Sequence, residues 1–241
     1  MKKILIVAYC FVIVLASCDT LKKVASSIIP SEFEMVAGLK DALTQGLFKS
    51  FDAFADPNGN PLVRFVFPGD AAKIEKTLRD LGLDKTVDQV TAKFTRATTS
   101  AVKAAKPIFL NSVKQMSIKD AANILVTDNT HAATDYFKAT MSPELMVAFR
   151  PIVDSNIKVQ GADKDWNQIV SVYNLIPFIN KPLEPNLTDF IAARAIDGMF
   201  VMVANEEEQI RSKYEFRKTD MMKKVFGYAE EELKRRTQQP K

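Results

Sequence analysis

Arg194 and Asp197 are the charged residues of an otherwise apolar stretch between Phe190 and Val203, and they stand three positions apart. On a helix this spacing places both side chains on one face, where they can pair. Perturbed buried charges gather at functional sites, so the two residues could form the polar floor of a ligand cleft. Buried charges are also normally paired whatever their role. We therefore favour a structural pair in the core, or a cap on a neighbouring helix, over a ligand site.

Three consecutive acids, Glu206, Glu207 and Glu208, follow this apolar stretch, and Arg211 comes soon after them. Their carboxylate oxygens could coordinate a hard cation. However, Arg211 lies four residues after Glu207 and three after Glu208, a spacing at which acids and bases pair along a solvated helix surface. We therefore predict no metal site here. The candidate polar site comprises Arg194, Asp197, Glu207 and Arg211.

His131 is the one histidine of the sequence, and it follows a polar run that is typical of a turn. With no second histidine and no free thiol expected after processing, a zinc site or a Cys–His nucleophile pair would lack its partners. Gly-rich phosphate loops and serine nucleophile elbows are also missing from the sequence. We predict an exposed His131, no catalytic residue and no cofactor. The unassigned acids that could still serve a carboxylate-dependent hydrolase are Asp120, Asp135 and Asp220.

Cys18 closes a segment that resembles a bacterial export signal. Lys2 and Lys3 precede an uninterrupted apolar run over residues 4–16, which is shorter than the roughly 20 residues a membrane span needs but suits a signal peptide. The run ends in Leu15-Ala16-Ser17-Cys18, which resembles the lipobox of bacterial lipoproteins. We predict cleavage before Cys18 and lipidation of its thiol. The alternatives are a plain signal peptide with an incidental cysteine and an uncleaved anchor.

This signal sets the expected domain organisation and location. We predict a signal peptide over residues 1–17, a lipidated tether over 18–32, a helical domain over 33–227 and a polar helical tail over 228–241. Two or more acyl chains hold a protein stably at a membrane without a spanning helix. The expected location is the bacterial cell envelope, on the periplasmic side of the inner or outer membrane.

The charge balance argues against nucleic acid as a partner. Losing Lys2 and Lys3 with the signal peptide takes the formal net charge from +4 to +2. Nucleic-acid binding calls for a basic stripe of clustered Lys and Arg with aromatic residues, and no window of the sequence has one. The 47% hydrophobic and 26% charged contents are typical of globular domains.

Apolar residues recur every three or four positions along most of the chain, which predicts an all-α fold, a compact array of roughly nine helices. The most apolar helix, capped by Thr188, should be central. Alternation over residues 62–67 predicts at most one short extended segment, pinned on the core. The helical patterns cover residues 33–54, 71–81, 86–105, 107–116, 117–126, 132–139, 143–157, 163–174, 189–213 and 219–236.

Colinear motifs run from about Gly38 to Gly227 and carry a family resemblance. They include Gly38-Leu39-Lys40-x-Ala42-Leu43-x-x-Gly46, Phe149-Arg150-Pro151, Ala195-x-Asp197-Gly198-Met199-Phe200, Glu207-x-x-Ile210-Arg211 and Thr219-Asp220-x-x-x-Lys224-Val225-Phe226-Gly227. The series resembles a family of bacterial envelope lipoproteins catalogued only as a domain of unknown function, number 4197. The resemblance implies one helical domain behind a signal peptide, and it implies no activity.

Three functions are compatible with the sequence. The first is a lipid-anchored helical scaffold or interaction module that meets another envelope protein. The alternative is a carrier or sensor of an apolar ligand or lipid, because sixteen Phe and nine Met could line a pocket, although at helical spacing such residues are more often simple core. The least favoured is the carboxylate-dependent hydrolase. The membrane is the further expected partner, through the lipid anchor.

Overall fold

The computed structural model describes residues 29–54, 64–177 and 181–238. Over these residues the chain forms eight α-helices, one 3-10 turn at Tyr214–Phe216 and no strand, which confirms the all-α prediction. The helices are α1 Glu32–Phe54, α2 Ala71–Asp80, α3 Asp84–Gln115, α4 Ile118–Leu125, α5 Ala132–Val159, α6 Ala162–Tyr173, α7 Thr188–Ser212 and α8 Asp220–Gln238. In this part of the chain no helix combines the length and mean hydropathy that crossing a membrane requires.

Prolines that the sequence treats as helix boundaries lie inside two long helices. The predicted helices 86–105 and 107–116 form the single helix α3, which contains Pro107. A proline leaves the carbonyl four residues earlier without its helical donor. Pro107 and Lys103 are both exposed, so water can reach that carbonyl. The predicted helices 132–139 and 143–157 merge into α5 in the same way. Pro143 leaves the Ala139 carbonyl without a helical donor and Pro151 leaves that of Val147, and all four residues are exposed.

The segment predicted to be extended is held by side chains instead of strand pairing. Phe65 and Phe67 are buried and Arg64 is exposed, as the alternation indicated. The Phe65 N–H donates to the Thr95 hydroxyl of α3 over 3.0 Å. A helix side chain therefore satisfies the backbone group that a neighbouring strand would otherwise bind. Leu62 and Val63 lie outside the described residues.

The chain forms two compact units. Of the described residues, unit 1 contains 29–43, 116–133 and 207–238, and unit 2 contains 44–54, 64–115, 134–177 and 181–206.

Unit 2 has a core rich in aromatic rings. Trp166 of α6 lies with its ring centroid 5.9 Å from Phe94 and 6.0 Å from Phe67. Its indole N–H donates to the Glu184 carbonyl over 2.8 Å, which gives this buried ring the polar partner it needs. A second group surrounds Phe109. Its members are Phe51, Phe137 and Phe200, with centroids 5.3 to 6.5 Å from the Phe109 ring.

Unit 1 brings α1 and α8 into close contact. A Cβ on Gly38 would overlap the Val225 side chain and lie 3.1 Å from the Met221 carbonyl oxygen. Gly38 therefore lets the two helices approach one another, which is the physical reason for the first glycine of the motif around it. Glu34 and Lys224 pair across the same two helices at 2.6 Å.

Candidate functional site

Arg194 and Asp197 lie on the surface of unit 2. Both side chains are exposed, and Asp197 pairs with Lys138 of α5 at 2.9 Å. The prediction that Arg194 and Asp197 form a pair in the core is therefore wrong. The expectation that α7 is buried on all sides is also wrong at these positions. Positions 194, 197 and 201 follow one another at helical spacing along the face of α7 that points to solvent, whereas Ile191, Ala195 and Met199 are buried.

Glu207 and Arg211 form the pair that is buried. Arg211 Nε lies 2.9 Å from Glu207 Oε1, and the side chains are only 9% and 7% exposed. The sequence correctly predicts their pairing along the helix but places it in solvent, which is wrong. An i,i+4 spacing defines which residues can meet; it carries no information on what covers them.

Within unit 1, the pair joins the carboxyl end of α4 to the first two residues of α5. Arg211 donates to the carbonyls of Ile124 and Leu125, at the carboxyl end of α4, over 2.8 and 3.2 Å. Glu207 accepts the N–H of Ala133, in the first turn of α5, over 2.9 Å. The cation therefore meets the negative end of one helix dipole and the anion the positive end of the other. We call Glu207, Arg211 and these backbone groups the helix-end clamp.

Arg217 performs a similar task at the end of α7, and the sequence analysis missed it. Its side chain is only 3% exposed, and its guanidinium donates to the carbonyls of Ile210 and Arg211 over 2.9 and 2.7 Å. A base just beyond a helix end is the available sequence signal. Lys213 and Lys218 are also bases close to this helix end, so the sequence does not distinguish them from Arg217. Only the folded structure shows that Arg217 binds the carbonyls.

Glu230 of α8 completes this charged cluster. It accepts hydrogen bonds from Lys234 at 2.8 Å and from Arg217 at 3.3 Å. The Lys234 bond, together with the positive charges of both bases, holds the pKa of the Glu230 carboxyl below its ordinary value. The ionised form of Glu230 therefore persists to lower pH in the folded chain than in the unfolded one, and its contribution to stability is lost only on acidification through that lowered pKa.

The remaining candidates are held in helix ends and turns. His131 is 41% exposed at its side chain, its Nε2 is shielded from solvent without a hydrogen bond, and Glu208 lies 3.7 Å away. It is thus half-buried, less open than predicted. Within the described ranges no group of three His, Cys, Asp or Glu residues could hold a metal ion. Asp120, Asp135 and Asp220 each lie in the first turn of a helix, where the dipole favours an acid.

Unit 2 contains an open cleft of about 560 Å³. One wall is the start of α2. The other is formed by described residues on either side of positions 178–180, among them Ile176 and Pro177 after α6 and Leu183 and Leu187 before α7. The lining includes three apolar residues that are buried, Ile74, Leu183 and Leu187. It also includes the exposed side chains of Lys73 and Lys181. Unit 1 has a smaller recess of about 250 Å³ beside the clamp, lined by Arg211, Phe226 and Leu233 among others.

The comparisons with known proteins give one match. A family model described as "Protein of unknown function (DUF4197)" matches residues 30–227. This range contains both the helix-end clamp and the unit-2 cleft, and it covers the motifs on which the family resemblance stood. Neither the curated proteins nor the solved structures gave a match.

Proposed function

Since the chain belongs to the DUF4197 family of proteins of unknown function, we propose that it is a lipid-anchored binding protein of the bacterial envelope. In this proposal acyl chains on Cys18 fix the protein at a membrane, and the unit-2 cleft holds an apolar ligand. The observation that carries the binding role is the cleft itself.

Among the described residues, the cleft is the candidate site whose lining is open to a ligand, whereas the polar candidates are already bonded to other parts of the fold. Its volume of about 560 Å³ falls in the range of roughly 300 to 1,000 Å³ that is usual for ligand sites. By contrast, the buried charges of the clamp are already bound to helix ends, and Asp197 is already paired with Lys138. These contacts favour a role in the fold for the polar residues and a role in binding for the cleft.

Membrane anchoring rests on the export signal, because residues 1–28 lie outside the described part of the chain. The first helix of the described residues begins at Glu32, and in this proposal residues 18–32 form the tether between the acylated cysteine and that helix. No helix of the described residues offers a second means of crossing a bilayer, and acyl chains alone suffice for stable attachment.

Replacing Cys18 tests the anchor. In cells labelled with a radioactive fatty acid, the unaltered protein should carry label and should have lost residues 1–17. Cys18→Ala should lose all label and keep the mass of the precursor, because the acylated thiol is required for processing. Cys10→Ala, the matched control, should be labelled and cleaved normally. Native protein with an intact Met1, or with an unmodified Cys18, would refute the anchor.

A second candidate is the interaction module, in which the outer surface of α5 and α7 meets another envelope protein. Val147 of α5 is 69% exposed and Val201 of α7 is 45% exposed. The Lys138–Asp197 and Arg150–Asp189 ion pairs connect the exposed faces of these two helices. Exposed apolar side chains on neighbouring helices are typical of protein contacts when they form a continuous patch.

Site-specific photo-crosslinking in cells tests this second candidate. A photoreactive amino acid at position 147 should give one reproducible adduct of fixed mass if a partner covers the α5–α7 surface. The control position is Lys85, which is exposed on α3 of the same unit. Equal, diffuse labelling from positions 147 and 85 would exclude a dedicated partner at this surface.

A further inference from the structure

We infer that the exposed side of α3 is a membrane-contact surface that rests on anionic phospholipid headgroups. Its central bases are Arg96, Lys103 and Lys106 of unit 2, and we call this surface the basic face. The inference rests on the proposed lipid anchor and adds the part of the protein that meets the bilayer. Three features support it: the charge of α3, the alignment of its bases and the state of the acids around them.

The excess positive charge of the chain lies in α3. Residues 89–115 contain five bases and no acid, whereas the whole chain has 33 bases and 29 acids. Without these five, 28 bases stand against 29 acids, so the rest of the chain is almost neutral. The two acids of α3, Asp84 and Asp88, lie before this stretch and bind Arg79 of α2. The five bases are Lys93, Arg96, Lys103, Lys106 and Lys114.

Arg96 and Lys103 lie on one exposed side of α3. They are seven residues apart, which is almost two turns of helix and about 10 Å of rise. Lys106 lies at the edge of this side, half-buried, with its ammonium 4.1 Å from the ring centroid of Phe48. Lys114 is also exposed and follows Arg96 by about five full turns, so it continues the row along the helix. The bases are three to eight positions apart in the sequence, so they come together only on the helix.

The three bases of the basic face have no ion-pair partner among the residues that the structure describes. Arg96 Nε donates to the neutral amide oxygen of Gln160 over 2.5 Å, and Lys106 lies over an aromatic ring. Lys103 is exposed. Their positive charges are therefore screened by dissolved ions, and a negative lipid surface attracts them.

The acids on the neighbouring helices leave the basic face positive. Asp165 of α6 is neutralised by Lys93 of α3 at 2.6 Å, and Asp163 is followed by the exposed Lys164. Asp52, in the last turn of α1, is exposed and opposes one positive charge. With Asp52 counted, the bases of the face are still in excess, which favours an anionic partner.

A bilayer fits the basic face better than a small anion does. Its bases are spread over about 15 Å of helix between Arg96 and Lys106. Neither the unit-2 cleft nor the unit-1 recess includes any of them, so neither gathers them around one small group. A broad anionic surface meets all of them at once, and each base at such a surface raises the ratio of bound to free protein about fivefold. In the proposed function, the anchor holds the protein at such a surface.

Fluorescence quenching on vesicles tests the inference. The natively acylated protein, with a fluorophore on Ala92→Cys, is bound to vesicles that carry a nitroxide quencher at headgroup level. Ala92 is exposed on the same side of α3, one turn before Arg96. The label should be quenched on phosphatidylglycerol vesicles and not on phosphatidylcholine vesicles. Salt at about 1 M, which shortens the Debye length to about 3 Å, should abolish the quenching and leave the anchored protein on the vesicles.

Val147→Cys is the control position for the label. Val147 is 69% exposed on α5. The helix α5 meets the buried side of α3, where the ring centroids of Phe137 and Phe109 are 6.5 Å apart. The outer surface of α5 therefore points away from the basic face, and a label there should stay unquenched on both kinds of vesicle.

Charge variants identify the bases that touch the lipid. Arg96→Gln with Lys103→Gln and Lys106→Gln should lose the quenching, because removing three bases lowers the ratio of face-bound to face-free protein about 100-fold. Arg96→Gln with Lys103→Gln alone, both at exposed positions, should change the quenching in the same direction and leaves the ring contact of Lys106 in place. The matched control removes the same charge from three exposed lysines of unit 2 outside α3 and should be quenched as the parent is. These lysines are Lys73, Lys164 and Lys181, each replaced by Gln.

Flotation of the vesicles separates this inference from the anchor. Protein that floats with anionic vesicles while its Ala92→Cys label stays unquenched would overturn the basic face alone, as would equal quenching of the two triple variants. Protein that does not float would overturn the anchor and this inference together. Binding of polyglutamate by protein whose label stays unquenched on anionic vesicles would assign the face to an acidic protein and overturn the membrane contact.

Discussion

Glu207→Ala should lower the free energy of unfolding by about 3 to 5 kcal/mol, the usual cost of breaking a buried ion pair from one side. The variant leaves the Arg211 guanidinium in a buried position without its carboxylate, and it removes the acceptor of the Ala133 N–H at the start of α5. Chemical denaturation at neutral pH measures the loss. Glu207→Gln keeps an oxygen for Ala133 and should therefore fall between the parent and Glu207→Ala.

Asp197→Ala is the matched control for the clamp. Asp197 is also an acid of α7 in contact with a base, but both side chains of its pair are about half exposed. Exposed pairs contribute about 0 to 1 kcal/mol, so this variant should unfold within that margin of the parent. If Glu207→Ala and Asp197→Ala lowered the free energy of unfolding by similar amounts, the burial of the clamp would not be the reason for its contribution to stability.

Gly38→Ala should destabilise the chain by about 1 to 3 kcal/mol, the usual cost of overpacking a well-packed contact. The added methyl group would overlap the Val225 side chain and press on the Met221 carbonyl, so α1 and α8 would have to separate. Gly227→Ala provides the opposite case within α8. Its added Cβ would meet no heavy atom within 4 Å, so the better helix propensity of alanine should stabilise the variant by up to about 1 kcal/mol.

Removing the obstacle tests the cause of the Gly38→Ala effect. Adding Val225→Ala to Gly38→Ala relieves the side-chain overlap and leaves the Met221 carbonyl contact. The double variant should therefore lose less stability than the sum of the two single losses, with a coupling of at least 0.5 kcal/mol. Strictly additive losses, or equal effects of alanine at positions 38 and 227, would contradict the close approach of the two helices.

Helix positions could be predicted well because their signals are local. The α1 pattern over residues 33–54 matches the observed Glu32–Phe54, and the start of α4 at Ser117 is confirmed by its capping bond to the Asp120 N–H. Apolar spacing and a capping side chain act within one or two turns. The merged helices α3 and α5 differ from the prediction because tolerance of an internal proline depends on whether its face is exposed, which is a property of the packed structure.

The sequence by itself determined the all-α class, most helix limits, the motifs that identify the family and the pairing of Glu207 with Arg211. Only the tertiary structure decided which charged pair is buried. Arg194 and Asp197 stand three residues apart on α7 and Glu207 and Arg211 four apart, yet the first two face solvent and the second two meet the ends of α4 and α5. Spacing along a helix fixes which side chains share a face, whereas burial of that face depends on segments more than seventy residues away in the chain.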